Sequence, residues 1–467
     1  MPSLAQLDHK YLWHPFTQMR DWLRREPIVI VAGRGAVLID TKGKEYLDAN
    51  SSIWTNLHGH RHPAINAALT RQLGKIAHSS ALGLANEPAS LLAAQLIRLA
   101  SPSPRQKLRR VFFSDDGSTA MEAALKMAYE FARRSGHSPK PKFLSLDSAY
   151  HGDTVGAVSL GHIDLFHEAY RGLLFKTDRV MAPFCYRCPF NRARPERADA
   201  RLGRKCHWEC LGLLERKFSA QKKKGNPYAA FVFEPLIQGA AGMTPQPEGW
   251  LRRATDIARG HGALLLADEV MTGFGRTGPI FACQQESVAP DLMALAKGLT
   301  GGCLPMAATL ASPAIFNAFL GDYAEFKTFF HGHSYTANQI GAAAALASLR
   351  LLQSPASVRS RSQLQKHLAE SLQSLWQLPA VGDVRQVGLI AGVELVRNWR
   401  TREPFPLRER VGLRVCEALA RRGVFTRPVG NVIVLMPPYC TTAPQVRRMV
   451  AALLESVEEQ CASIKAV

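Results

Sequence analysis

The chain has 467 residues, 46% of them hydrophobic, enough for a large core and for more than one domain. No apolar run reaches the roughly 18 residues that a membrane span needs. The opening "MPSLAQLDHKYLWHP" carries early charges and no apolar core of the kind a secretory leader has. A cytoplasmic protein without membrane attachment is the expectation.

In the first sixty residues, "GAVLIDTKGKEYLDA" reads as a hairpin turning at "KGK". Short apolar runs then alternate with helical patterns. "RRVFFS" (Arg109–Ser114) precedes the helix-like "TAMEAALKMAYEFARR", and "PKFLSLDSAYHG", "AAFVFEPL", "GALLLADEV", "DLMALAKGL" and "MAATLAS" follow. Strands alternating with helices of 10–15 residues predict a parallel sheet covered on both faces. The C-terminal part repeats this on a smaller scale, with "VRQVGLIAGVELV", the helix "RERVGLRVCEALARRG" and "NVIVLMPP". The predicted fold class is α/β. A large doubly wound domain spans 61–350, and the two ends, 1–60 and 351–467, form a smaller α/β domain.

The net charge of +20 invites a nucleic-acid reading. The excess concentrates between Arg187 and Lys224, where 12 Lys/Arg stand against 4 Asp/Glu. No nucleic-acid-binding motif accompanies it, so a solvated basic face within an insertion over 183–225 is the expectation. The same insertion holds four of the nine cysteines, Cys185, Cys188, Cys206 and Cys210. Their C-x2-C and C-x3-C pairs lie close to zinc-ribbon spacing. Both a structural metal and a loop of reduced thiols stay open, and no metal is assigned. A zinc-bearing nucleic-acid-binding module built on this segment is the alternative from another class.

Ligands of open α/β sheets bind beyond the carboxyl ends of the strands. After "VFFS", Asp115–Thr119 offers a glycine turn, two hydroxyls and the free N–H groups of a new helix. That is either a phosphate cradle or plain N-capping by Ser118 or Thr119. After "ALLL" comes Asp268, a buried carboxylate that needs a cation: a protonated pyridine nitrogen or an ordinary basic side chain. After "LMALA" comes Lys297, either snorkelling to solvent or held as a neutral amine able to form a Schiff base. Together, a phosphate cradle, an acid for a ring nitrogen and an imine-forming lysine are what pyridoxal 5′-phosphate requires.

The order of these groups, with "DEVMTGFGRTG" opening on Asp268 and Lys297 lying 29 residues later in "AKGLTGG", resembles the class III, fold-type I pyridoxal-phosphate-dependent aminotransferases. The likeness covers nearly the whole chain. "LWHPFTQM", "SSIWTNLHGHRHP", "FFSDDGSTAMEAALKMA", "YHGDT", "FFHGHSYTANQ" and "FTRPVGNVIVLMPP" are closest to the branch that aminates 8-amino-7-oxononanoate to 7,8-diaminononanoate in biotin biosynthesis. The resemblance implies that Lys297 binds the cofactor and shuttles a proton, that Asp268 keeps its ring nitrogen protonated, and that Gly117 and Ser118 hold its phosphate. It implies a homodimer with shared sites, in which Ser334 and His333 reach the neighbouring subunit's phosphate. Tyr150 would lie against the ring, supported by His151. Trp54 and Gly332 would line the keto-substrate pocket, and Arg427 would take the substrate carboxylate as a bidentate pair. Outside the family context Arg427 reads as a surface arginine before a proline turn.

Three departures from the family pattern concern the amino donor. Phe16 in "WHPFT" stands where users of S-adenosylmethionine typically show tyrosine. Ile53 replaces a frequent tryptophan, and "HGHS" carries His333 and Ser334 where "HGPT" is common. Several segments also resemble the branch that uses lysine. The expectation is S-adenosylmethionine or lysine as donor, with an ω-amino acid or diamine aminotransferase using pyruvate or 2-oxoglutarate as the nearest alternative.

Overall fold

The computed structural model describes residues 2–101, 103, 107–194 and 196–462. The outermost residues of both expected end segments, Met1 and 463–467, fall outside the described residues, as do 102, 104–106 and 195.

The strands in chain order are β1 (Ile30–Arg34), β2 (Val37–Asp40), β3 (Glu45–Asp48), β4 (Arg110–Ser114), β5 (Lys142–Leu146), β6 (Asp178–Val180) and β7 (Tyr228–Phe233). Then come β8 (Ile237–Gln238), β9 (Thr244–Pro245), β10 (Leu264–Asp268), β11 (Leu292–Leu295), β12 (Ala307–Ala311), β13 (Val381–Val387) and β14 (Ile390–Asn398). The last are β15 (Glu403–Pro404), β16 (Val424–Phe425), β17 (Pro428–Val429) and β18 (Val432–Leu435).

Seven of them form the large sheet in the order β4-β12-β11-β10-β7-β5-β6. All run parallel except β12, which is antiparallel to both neighbours. The central strands explain themselves. "YAAFVF" in β7 is buried at every position, as a strand covered on both faces must be. The helix Gly117–Arg134 covers one face with Ala120, Met121, Ala124, Leu125, Ala128 and Ala132, a spacing of three and four that makes one apolar stripe.

The expected hairpin near the N-terminus is present: β2 and β3 pair antiparallel, and the Asp40 carboxylate accepts the N–H groups of Lys42 and Lys44 across the turn. β3 then pairs in parallel with β16 from the far end of the chain. A separate C-terminal sheet runs β13-β14-β18-β17, with β15 on β14.

A buried ion cluster joins this last sheet to the short β8–β9 hairpin. Arg385 Nη1 donates to Asp383 Oδ2 at 2.9 Å and to Glu394 Oε2 at 2.6 Å. Its Nε and Nη2 both donate to the Gly242 carbonyl, which lies between β8 and β9. Burial alone would disfavour the guanidinium, but the two carboxylates outweigh it and raise its pKa. Arg385→Leu leaves two buried carboxylates without that cation and frees the hairpin. We expect a loss of about 3–5 kcal/mol in urea unfolding, the scale for removing one partner of a buried pair.

Candidate active site

Five strand ends of the large sheet open on one cleft of about 420 Å³. β4 delivers Asp115–Ser118, β5 delivers Tyr150 and His151, β7 delivers Glu234, β10 delivers Asp268, and β11 delivers Lys297. All lie at carboxyl ends, where an open α/β sheet binds its ligand.

The charged centre is compact. Asp268 is buried; its Oδ2 accepts the Nδ1–H of fully buried His151 at 2.7 Å, and its Oδ1 accepts the Val270 N–H at 3.0 Å. Lys297 sits on a 3-10 turn with φ +43°, a left-handed conformation that a side chain makes costly. Its ammonium lies 4.9 Å from the ring centre of Trp54. Burial holds the Lys297 pKa below the usual lysine value, and the nearby charges of Asp268 and Glu234 offset part of that effect. The amine is therefore easier to neutralise than an exposed one.

The turn after β4 answers the question of capping. Asp116, not Ser118 or Thr119, is the N-cap: its carboxylate accepts the Thr119 N–H at 2.9 Å. Thr119 Oγ1 in return accepts the N–H groups of Asp115 and Asp116. Ser118 is left free of that duty, and its Oγ accepts the Asp153 N–H at 3.1 Å. The main-chain N–H groups of Gly117 and Ser118 are in the first helical turn, where the helix supplies no acceptor. Space here is tight. A Cβ on Gly117 would sit 2.7 Å from a Val270 methyl, and one on Gly152, at φ +122°, would sit 2.3 Å from Ser118 Oγ.

Tyr150 borders the cleft, its hydroxyl donating to Asp153 Oδ2 at 2.7 Å and its ring parallel to that of His167. Burial and the Asp153 carboxylate push the phenol's pKa up. Trp54 lines the cleft as expected.

Five expected residues do not line this chain's own cleft. Phe16 is exposed, with its ring against Phe166, which in turn meets Tyr150. Gly332 and Ser334 are exposed, and His333 Nε2 stands 3.3 Å from Asp115 Oδ1, within ion-pair range. Arg427 is exposed and makes no ion pair or hydrogen bond among the described residues. It follows β16, whose partner β3 leads within six residues to Trp54. The four cysteines of the insertion gather in one region as free thiols, Cys185 and Cys210 buried, each raised in pKa chiefly by burial and further by its cysteine neighbours. Among the described residues, no three His, Cys, Asp or Glu side chains form a metal-binding group.

Glu234 also lines the cleft, without having been expected from the sequence. It ends the buried strand β7 just as Asp268 ends β10, so the same signal, a carboxylate closing an apolar run, was there in "AAFVFEPL".

The site suits pyridoxal 5′-phosphate. The unsatisfied N–H groups at Gly117 and Ser118 match a phosphate. The Asp268 carboxylate, oriented by His151, matches a protonated ring nitrogen. The Trp54 Nε1 and His151 Nε2 atoms are buried without a hydrogen-bond partner among the described residues.

Comparison with known proteins agrees. Residues 19–457 match the class-III aminotransferase family. The chain is 49% identical over 455 residues to the adenosylmethionine-8-amino-7-oxononanoate aminotransferase of Geobacter sulfurreducens, covering 97% of each chain. It is 41% identical to the enzyme of that name from Staphylococcus aureus, again over 97% of each chain. The crystal structure of the enzyme of that name from Methanocaldococcus jannaschii superposes with a TM-score of 0.89 at 38% identity, over 98% of both chains. An omega transaminase from Pseudomonas jessenii, solved with PMP, gives 0.90 at 27% identity over 99% of both. This chain belongs to the class-III aminotransferases, which depend on pyridoxal phosphate.

Proposed function

We propose that this aminotransferase converts 8-amino-7-oxononanoate to 7,8-diaminononanoate, with S-adenosylmethionine as amino donor. The observation that carries the reading is the full-length likeness, at up to 49% identity, to relatives bearing the adenosylmethionine-8-amino-7-oxononanoate aminotransferase name. The cleft supports it with a lysine of lowered pKa that feels the charges of two carboxylates, Asp268 and Glu234.

In this reading Lys297 would hold the cofactor through Nζ, Asp268 would face its ring nitrogen, and the helix N-terminus at Gly117 and Ser118 would take its phosphate. When bound, the cofactor supplies an electron-withdrawing ring that acidifies the donor's carbon–hydrogen bond and carries the amino group between the two half-reactions. Lys297 Nζ is the base that removes the proton from the donor carbon and returns one to the acceptor carbon. It suits the task because burial favours its neutral form. His151 fixes Asp268 by the 2.7 Å hydrogen bond and keeps that carboxylate oriented. Trp54, 4.9 Å from the amine, and Tyr150, braced by Asp153, shape the cleft wall along the substrate and exclude water there. Arg427, uncommitted within its own chain, would pair with the substrate's carboxylate.

A cytoplasmic homodimer with shared sites belongs to the same proposal. The segment carrying Gly332, His333 and Ser334 stands outside the chain's own cleft and is largely exposed, as a segment reaching a second subunit would be. No helix among the described residues is long and apolar enough to cross a membrane.

Three measurements test this reading. Lys297→Ala should abolish turnover in an assay for 7,8-diaminononanoate while the protein stays folded; retained activity would remove the lysine from the chemistry. Arg427→Ala should weaken the keto acid's apparent affinity by about 1.5–3 kcal/mol, the scale of a charged hydrogen bond. Its donor half-reaction should be nearly unchanged. For the donor, the cofactor-loaded protein is mixed with S-adenosylmethionine or with lysine in separate cuvettes. Loss of the visible absorption with S-adenosylmethionine alone is expected; loss with lysine alone would transfer the enzyme to the lysine-using branch and make Phe16 a marker of it.

A further inference from the structure

Glu234 lies in the cleft wall, and no step above uses it. Both of its carboxylate oxygens are taken by main-chain donors from different segments. The Gly239 N–H donates to Oε2 at 2.8 Å, and the Tyr150 N–H donates to Oε1 at 3.3 Å. Gly239 begins the β8–β9 turn, whose Ala240 lines the cleft. The turn packs closely at this point: a Cβ on Gly239 would stand 2.5 Å from Met271 Sδ and 3.4 Å from the Trp54 ring. Tyr150 belongs to the loop after β5. One buried carboxylate therefore ties two independent pieces of cleft wall together.

The residue type is demanding here. Two N–H donors need two acceptor oxygens, which glutamine cannot supply because its amide nitrogen would meet one of the donors. No cation stands within hydrogen-bonding range of the carboxylate among the described residues. The charged groups that face it are His151, Asp268 and Lys297. Burial pushes the Glu234 pKa up to about 7, with Asp268 adding to the rise, while His151 and the two N–H bonds pull it back. A proton taken up near neutral pH goes to the oxygen with the longer, weaker hydrogen bond, which is Oε1.

We propose that Glu234 is a positioning residue that clamps the Tyr150 loop to the Gly239 turn, and that a single proton on Oε1 releases Tyr150 while Gly239 stays held. The carboxylate form is the closed form of the clamp, so the clamp is closed above neutral pH and opens as pH falls. The kinetic consequence rests on the aminotransferase reading; the clamp itself does not.

Amide hydrogen exchange on the full-length, cofactor-loaded protein tests it at pH 6 and pH 8, with rates corrected for intrinsic exchange. Peptides covering 147–152 and 236–243 report the two amides. Protection at Tyr150 should fall roughly tenfold on going to pH 6, as the protonated share of a carboxyl titrating near 7 rises from about a tenth to about nine tenths. Protection at Gly239 should hold. In Glu234→Gln, the dependence on pH should vanish and one of the two amides should exchange fast at both values. Equal protection of Tyr150 at both pH values in the unaltered protein overturns the proposal, whether or not the variant folds. In the kinetic arm, kcat/KM should show an acid limb near pH 7 that Glu234→Gln abolishes, with kcat about tenfold lower at pH 8 from a displaced Tyr150. An unchanged limb in the variant counts against the clamp. Absence of turnover with the proposed substrates overturns only the functional reading, because the exchange arm still decides on the clamp.

Discussion

A lysine and two buried carboxylates share one cleft, and the architecture around it answers the cost of keeping them there. Isolated charges so placed cost several kcal/mol each after relaxation. The fold meets this by delivering every charge at the carboxyl end of a strand of one sheet, where groups from other strand ends of the same rim compensate it. Asp268 on β10 is met by His151 from the loop after β5, and Lys297 after β11 feels both Asp268 and Glu234. Six parallel strands make this possible, because they point their carboxyl ends the same way. Antiparallel β12 instead brings its amino end, next to Met306, to the same rim.

The cleft wall is also held mechanically. Arg385 binds the Gly242 carbonyl and two carboxylates of the C-terminal sheet, so the β8–β9 hairpin is fastened from outside. Glu234 fastens the same hairpin from inside through Gly239. Gln246 closes the base, donating to the Glu234 carbonyl and accepting from the Leu236 N–H. A wall two residues wide on each strand has little stability of its own. Its rigidity comes from three polar side chains, each fully buried and each acting on main-chain atoms.

Much of this was legible in the residues. The parallel sheet followed from buried apolar runs alternating with helices, and Asp268 and Lys297 stood out because a charge closing an apolar run must have a reason to stay. What stayed hidden has physical causes. Whether Ser118 caps its helix depends on whether Asp116 does so first, and both are good caps; only the φ of +122° at Gly152 and the Ser118–Asp153 bond show that Ser118 faces the cleft. Glu234 gave the same signal as Asp268 but offered no cofactor atom to explain it, since its partners are two backbone amides. Phe16, Gly332, His333, Ser334 and Arg427 were reached through family likeness alone. Their placement depends on tertiary relations that periodicity does not encode, and within one chain none of them lines the cleft.

The basic excess of the insertion also has a structural reason that composition could not reveal. Arg204 and Arg253 flank the Trp208 ring at 3.7 and 4.6 Å. Arg187 pairs with the same Glu394 that holds Arg385. Arg201 pairs with Asp199 and also donates to the Gln386 carbonyl, and Arg197 donates to the carbonyls of Trp376 and Leu378. Arginine is the cation for such work, because its planar fork can stack on a ring and bind a carbonyl or carboxylate at once. Arg187 and Arg201 tie the insertion to strands of the C-terminal sheet, and through Glu394 and Arg385 the first of these ties reaches the cleft wall. Three cations of a run that reads as a surface for an anionic partner, Arg187, Arg197 and Arg201, thus serve instead to fasten the insertion to the C-terminal part of the chain.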